Sequence, residues 1–336
     1  MVGMSAAAVN VRHPDVAVVA IGRNEGERLH RCLQSVTGHV ACVVYVDSGS
    51  TDGSVELARA MGACVVELDL SHRFTAARAR NAGFAAIDAP RADISFVQFV
   101  DGDCEVEPGW IAEARGFLEE TPQVAAVFGR RRERFPEVSV YNRLCDEEWN
   151  VPPGYVSACG GDVMMRALAF EEAGGYNPSL IAGEEPELCV RLRQRGWKLV
   201  SNGKPMTIHD AAITRFAQWW RRAVRSGHAF AEGTHMHGAP PERHYVKESR
   251  RALLWGAGIP VAIVLGMFAF GPIGLALSLI YPMQVARLYL QRRHSSPIPL
   301  SASFFLTLAK FPEAIGQFKF HLNNILGKRS AIIEYK

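Results

Sequence analysis

Four short apolar runs, rich in β-branched residues, constrain this chain more than any other feature. They are Val16–Gly22 (VAVVAIG), Ala41–Asp47 (ACVVYVD), Cys64–Leu68 (CVVEL) and Ile94–Val100 (ISFVQFV). Each is too short for a buried helix and reads as a strand. Helical patterns separate them. One opens at Gly26 and Glu27 and runs to about Val36. A second, STDGSVELARAMG, begins with cap-type residues and stops at Gly62. A third covers about Thr75–Ile87. This alternation predicts an α/β fold: a parallel sheet covered by helices on both faces. Ligands bind such sheets beyond the carboxyl ends of the strands. The segments Gly22–Gly26, Asp47–Gly53 and Asp101–Cys104 are therefore expected to converge on one crevice. Ordinary turn chemistry accounts for any one of them; three acid-bearing turns at strand ends point to a site.

Two acidic motifs carry candidate chemistry. FVDGDCEVEPGW places Asp101 and Asp103 just after the fourth strand, one residue apart, with Gly102 allowing a ligand close approach. Such a pair suits a hard divalent cation, Mg²⁺ or Mn²⁺, held together with substrate phosphates. GEEPELCVRLRQRGW sets Glu184 and Glu185 side by side before a helical pattern. Pro186 fits the first helical position, which makes Glu185 the N-cap and faces Leu188 and Leu192 to the core. Acids at a helix start favour the dipole, so capping explains one of the two and leaves the other for chemistry.

Charge and cysteine content narrow the partners. The chain of 336 residues carries a net charge of +3, unevenly spread: from Gln284 to Lys336 there are eight Lys/Arg and two Asp/Glu. The tail is thus at +6 and the remainder at −3, which favours membrane lipid over nucleic acid as the anionic partner. Seven scattered cysteines with no CxxC pair point to reduced thiols in a cytosolic compartment rather than a zinc site. The N-terminal extension, 1–14, has neither the basic head nor the apolar run of a secretory signal.

Ala252 to Ala286 contains no Asp, Glu, Lys or Arg. As one helix these 35 residues would reach roughly 52 Å, against a hydrocarbon core of about 30 Å. Gly271-Pro272 interrupts the run, and Arg243, Lys247, Arg250 and Arg251 on one side match Arg287, Arg292 and Arg293 on the other. The expectation is a membrane hairpin, 252–290, of two short helices, about Ala252–Phe270 and Ile273–Leu290. It follows a linker, 236–251, keeps both flanks in the cytosol, and crosses twice or dips into one leaflet. A buried soluble hairpin is the alternative. Over 297–328, Phe304, Leu308, Phe311, Ile315, Phe318, Leu322 and Ile325 form one apolar stripe, with Lys310, Lys319, Lys328 and Arg329 as positive charge. These are expected to be basic amphipathic helices at a membrane interface, kinked or divided at Pro312; packing against the domain before them is the competing reading.

The ordered set of motifs resembles the family 2 glycosyltransferases, which have the GT-A fold. VVAIGRNEGERLHRCLQSV, VVYVDSGSTDGS, ARNAGF, FVDGDCEVEPGW and GGDVMMRALAFEEAGGYNPSLIAGEEPELCVRLRQRGW follow the family's order between about Val16 and Gly227. The resemblance implies a glycosyltransferase domain over 15–235 that moves a sugar from a nucleotide-sugar donor to an acceptor, with inversion and a Mg²⁺ or Mn²⁺ cofactor. It implies donor-binding roles for Asn24, Glu25, Asp47, Ser48, Arg78, Asn81 and Asp101. Asp103 matches the direct metal ligand, Asp101 the ribose or the metal's water shell, and His209 (MTIHDAAITRF) a further metal ligand or a structural histidine. Glu185 stands where the family's second acid, usually Asp, serves as general base, and Glu184 beside it should raise its proton affinity. QWWRRAVRSGHA departs from the processive pattern Q-x-x-R-W: Gln218 and Arg221 fit, but Arg222 replaces Trp. That weakens a processive polysaccharide synthase reading. Gln218, Trp219, Trp220 and Arg221 are candidates for the acceptor or diphosphate site, or anchors at a membrane interface. His228, His235 and His237 fit no standard zinc spacing and are expected in a loop. Arg130–Arg134 (RRRER) reads as a solvated charge run or as help in holding an anionic acceptor.

Together these readings give a bacterial enzyme at the inner membrane. Its catalytic domain faces the cytosol, and its acceptor is a membrane-held, lipid-linked glycan in cell-surface polysaccharide or glycolipid synthesis. A nucleotidyltransferase would show a lysine in the first loop, and a dehydrogenase would show GxGxxG; neither is present. A non-catalytic nucleotide-sugar-binding membrane protein remains the other class.

Overall fold

A computed structural model describes residues 13–72, 74–87 and 93–328. Only the last two residues of the expected extension 1–14 lie within them, and Arg329 of the basic tail lies outside. The chain divides into two compact units, each discontinuous in sequence. The first runs through Arg131 and adds Val151–Tyr176 and Arg191–His209. The second takes Arg132–Asn150, Asn177–Val190 and everything from Asp210. The stretch 15–235 read as one domain is thus shared between both.

The first unit alternates as expected: β1 (His13–Gly22), α1 (Glu27–Val36), β2 (Val40–Asp47), α2 (Ser54–Ala60), β3 (Cys64–Glu67), α3 (Ala76–Ala85) and β4 (Phe96–Asp101). The four strands pair in parallel in the order β3-β2-β1-β4. Val16 to Ala20 are fully buried, which is why this run carries no polar residue. Helix α3 lies hard against the sheet at Gly83, where a Cβ would stand 2.4 Å from Val19 Cγ1. Its N-cap is Thr75, whose hydroxyl accepts from the Arg78 N–H.

After β4 come β5 (Cys104–Val106), α4 (Trp110–Glu120), β6 (Val124–Glu133), α5 (Val140–Glu148), β7 (Gly154–Tyr155), β8 (Val163–Arg166), α6 (Ala167–Glu172), α7 (Glu184–Gln194) and β9 (Lys198–His209). These strands extend the sheet as β4-β8-β6-β9-β5, with β7 also on β9. The pairs β4/β8, β6/β8, β5/β9 and β7/β9 are antiparallel. The mixed half escapes the sequence pattern because β5, β7 and β8 are only three, two and four residues long. In the core, Trp110 Nε1 donates to the buried Gln98 Oε1 at 2.8 Å, which satisfies both polar groups.

The second unit is built on α8 (Phe216–His237), a helix of 22 residues. It contains His228, His235 and His237, so these are helical rather than in a loop. The apolar face Trp219, Ala223, Val224, Gly227, Ala231 is buried and sustains the helix through them. Helix α9 (Val246–Leu253) then fills the second half of the expected linker. A π-helical turn, Leu254–Gly258, leads into α10 (Ile259–Phe270). At Gly271 the backbone turns with φ of +62°, and a 3₁₀ stretch, Gly271–Leu279, runs into α11 (Ile280–Arg292). The arms touch at two glycines: a Cβ on Gly274 would stand 2.2 Å from the Gly266 carbonyl carbon. The hairpin forms, with a 3₁₀ start to its second arm that the sequence pattern did not show. Val246–Arg292 is long and apolar enough to cross a membrane, and its apolar window is 11% buried.

Helices α12 (Pro299–Leu308) and α13 (Lys310–Ile325) complete the unit, divided just before Pro312. Pro312 occupies the first turn of α13, where its missing N–H costs no helical bond. Glu313, Ala314, Gly316, Gln317 and Phe320 make the buried face of α13, and α8 lies against it. The helices meet backbone to backbone: a Cβ on Gly227 would stand 1.9 Å from Glu313 O, and one on Gly316 2.0 Å from Val224 O. Phe304, Ile315, Phe318, Leu322 and Ile325 of the apolar stripe are exposed. Of the stripe, Leu308 packs on the Cys145–Trp219 cluster and Phe311 lies against Tyr281.

Candidate active site

The strand ends of the first unit converge as expected. Gly22 lies beside Asp47 in the β1/β2 register, and Ile21 beside Asp101 in β1/β4. Gly102 N–H donates to Ile21 O at 2.8 Å and Ser48 N–H to Gly22 O at 3.1 Å. Asn24, with φ of 55°, ties two loops together: its N–H donates to Ser50 Oγ at 2.8 Å, and its Oδ1 accepts from Thr51 N–H at 2.7 Å. Glu25 pairs with Arg28 at 2.8 Å. Asp47 is buried and closes its own turn, accepting from Gly49 and Ser50 N–H at 2.8 Å each and from the Tyr45 hydroxyl at 3.0 Å. Burial, and then the Asp47 charge, push the Tyr45 phenol far up. Ser48 Oγ is buried, with no hydrogen-bond partner among the described residues.

Behind the crevice lies a network that sequence reasoning missed. Asp101 faces two guanidinium groups, Arg80 at 2.8 Å and Arg131 at 3.4 Å. Its N–H donates to Asp162 Oδ1 at 3.1 Å. Asp162 also accepts from Arg131 Nε at 2.9 Å and from the Thr207 hydroxyl at 2.7 Å. Burial works against the Asp101 charge, but Arg80 and Arg131 outweigh it and hold the carboxyl below its ordinary range. Arg131 is likewise disfavoured by burial, yet Asp162 drives its pKa well up. Arg131 belongs to the RRRER run expected in solvent. Its Glu133 is buried too, accepting from Ala211 N–H at 3.1 Å. The side chains named from the neighbouring motif do other work. Arg78 donates to His72 O and Asp69 O at 3.0 and 3.1 Å. Asn81 clamps the Tyr176 backbone through both ends of its amide, at 2.7 and 2.9 Å.

Asp103 and His209 meet at the edge of the sheet, His209 Nε2 standing 3.1 Å from Asp103 Oδ1, both buried. Cys104 is the register partner of His209 across β5/β9. The ligand atoms of Asp103, Cys104 and His209 lie within 4.8 Å of one another. A buried carboxylate beside an imidazole is a donor set that fits a divalent cation. Asp101, named as a second ligand, lies in a second such cluster with Cys104 and Asp162, where Arg80 and Arg131 face the carboxylates.

In the second unit, Glu187 N–H donates to Gly183 O at 3.1 Å, and Gly183 has φ of +79°. Gly183 is therefore the N-cap of α7, and Glu184, Glu185 and Pro186 fill the first three helical positions. The expected cap at Glu185 is displaced by two residues, because glycine adopts this φ without strain. Glu184 and Glu187 are buried, and Glu185 is half-buried. His237 Nε2 stands 3.1 Å from Glu187 Oε1. Burial first, then the Glu185 charge, raise the Tyr245 phenol. Gln218 caps its own helix, accepting from Thr214 and Arg215 N–H at 3.0 Å each. Trp219 is buried with Cys145, Ala211 and Ile213, and Tyr141 and Phe305 pack on that cluster. Trp219 is closed off by this packing; Gln218 and Trp220 are half-buried and Arg221 is exposed.

The Rossmann-like sheet, with an acid pair at the end of its fourth strand, has the GT-A fold. Residues 17–157 match the model for glycosyl transferase family 2. A pre-mycofactocin glycosyltransferase of Mycobacterium tuberculosis is 30% identical over 229 residues, 64% of this chain and 46% of the relative. The chain thus spans a little under half of that relative. The glycosyltransferase AglE of Haloferax volcanii is 29% identical over 211 residues, 59% of this chain and 67% of the relative. The mannosyltransferase PcManGT of Pyrobaculum calidifontis, solved with GDP-Man and Mn²⁺, shares the fold: TM-score 0.61, 19% identity, 92% of this chain and 89% of that one.

Proposed function

We propose that this protein is an inverting glycosyltransferase that moves a sugar from a nucleotide-sugar to an acceptor held at a membrane. The observation that carries the reading is the buried Asp103–His209 pair at the carboxyl end of the sheet, beside an arginine-clamped Asp101. Asp103 and His209 would hold a divalent cation, Mn²⁺ or Mg²⁺. When bound, such an ion neutralises the charge of a leaving nucleoside diphosphate. Arg80 and Arg131 fix the Asp101 carboxylate, so that the ribose or the cation's water shell meets an oriented acceptor group. Ser48 offers a buried hydroxyl beside the strand end where the nucleoside is expected. Asn24 and Asp47 act less by touching the donor than by shaping the two loops that would receive it.

Glu185 is the proposed general base. It takes the proton of the acceptor hydroxyl as the oxygen attacks the anomeric carbon, and the nucleoside diphosphate leaves from the opposite face. Buried Glu184 stands beside it in the first turn of α7. The membrane-held acceptor is supported by the uncharged, largely exposed hairpin and by the exposed stripe of α13. Basic residues on both hairpin flanks favour a cytosolic catalytic domain at the bacterial inner membrane. The reading extends to a lipid-linked glycan acceptor in surface polysaccharide or glycolipid synthesis. The test is sugar transfer by the purified full chain with and without Mn²⁺. Activity should need the ion and should be lost in Asp103→Ala; unchanged activity in that variant removes the cation assignment.

A further inference from the structure

Cys104 sits where the two acid clusters meet. Its Sγ lies within 4.8 Å of ligand atoms of Asp103 and His209, and equally of Asp101 and Asp162. The Asp101–Asp162 side already carries two cations, Arg80 and Arg131. The Asp103–His209 side is where a metal ion would add charge. We infer that Cys104 supplies a sulfur ligand to that ion, making the site one for thiophilic divalent metals as well as for Mn²⁺. The inference rests on the cation reading above.

The spacing favours it. Donors about 2.1 Å (oxygen, nitrogen) and about 2.3 Å (sulfur) from one ion, at tetrahedral angles, stand roughly 3.4 to 3.6 Å apart. Here Cys104 Sγ is 3.6 Å from Asp103 Oδ1, and His209 Nε2 is 3.1 Å from the same oxygen. Register keeps the set together: Cys104 and His209 are directly opposed across β5/β9, so their side chains share one face of the sheet. On coordination the S–H bond breaks, the proton passes to water, and the sulfur electron pair goes to the ion. Proton release therefore accompanies binding. Sulfur and imidazole donors favour Co²⁺ and Zn²⁺ over Mg²⁺, which prefers oxygen.

The test titrates the detergent-solubilised full chain with CoCl₂, without nucleotide, and records its absorption spectrum. Wild type should show both ligand-field bands and a sulfur-to-cobalt charge-transfer band. Cys104→Ser should lose the charge-transfer band, keep the ligand-field bands and bind Co²⁺ about tenfold more weakly or worse. Cys104→Ala guards against an effect peculiar to serine, and Cys32→Ser should leave the spectrum unchanged. A charge-transfer band that survives in Cys104→Ser and Cys104→Ala overturns the assignment. Ligand-field bands without a charge-transfer band in wild type overturn Cys104 while sparing the cation site. If wild type binds neither Co²⁺ nor Mn²⁺, the cation reading falls and this inference falls with it.

Discussion

Asp162→Ala probes the network that orients the first acid of the D-x-D pair. Asp162 is buried and accepts from three donors: the Arg131 guanidinium, the Thr207 hydroxyl and the Asp101 N–H. Alanine removes the nearer carboxylate of Arg131 and leaves a largely buried guanidinium facing Asp101 at 3.4 Å. Breaking a buried pair by deleting one partner costs about 3–5 kcal/mol. At about 2–4 °C per kcal/mol for a domain of this size, the melting temperature should fall by roughly 6–20 °C. Asp162→Asn keeps oxygen and nitrogen in place, and should lie between wild type and alanine. Scanning calorimetry of the full chain with the three proteins side by side decides it. An alanine variant melting within about 2 °C of wild type would refute the claim that this carboxylate neutralises Arg131.

Gly316→Val places a side chain against the α8 backbone, where even a Cβ would be 2.0 Å from Val224 O. It should destabilise by at least about 1–3 kcal/mol in a denaturant titration. The hairpin tip exposes large apolar side chains, with Phe268 at 86%, Ile273 at 78% and Phe270 at 71%. A Phe268→Asp/Phe270→Asp double variant should lose most of its sedimentation with vesicles containing anionic lipid, while wild type cosediments. Asp101 binds its proton less tightly in the fold than in the open chain. Its stabilisation is therefore complete above the ordinary carboxylate value of about 3.9 and is lost as pH falls through its lower folded value. Asp101→Asn should flatten the melting temperature against pH in that acid range.

The parallel half of the sheet was legible because β1 and β4 are buried on both faces and β2 nearly so, and their residues form unbroken apolar runs such as VAVVAIG. The antiparallel half was not: VMMR and CEV are too short to carry a period. The site divides the same way. Asp101 and Asp103 stand out because local spacing and a preceding strand define them. Arg80, Arg131 and Asp162 are assembled by the sheet from positions up to 82 residues apart, and Arg131 looks like one charge among five in RRRER. The exposure of the α13 stripe also lay beyond the sequence. Periodicity shows that a helix has an apolar face; it does not show that Gly227 and Gly316 let α8 take a different one.

The central claim is that this chain uses Glu185 to transfer a sugar. The direct measurement is labelled-sugar transfer from nucleotide-sugars to a membrane lipid extract, with donor binding measured in parallel, for wild type, Glu185→Gln and Glu184→Gln. The account predicts transfer by wild type, none by Glu185→Gln with donor binding intact, and a milder loss in Glu184→Gln. Full transfer by Glu185→Gln, or donor binding without transfer in wild type, would contradict it.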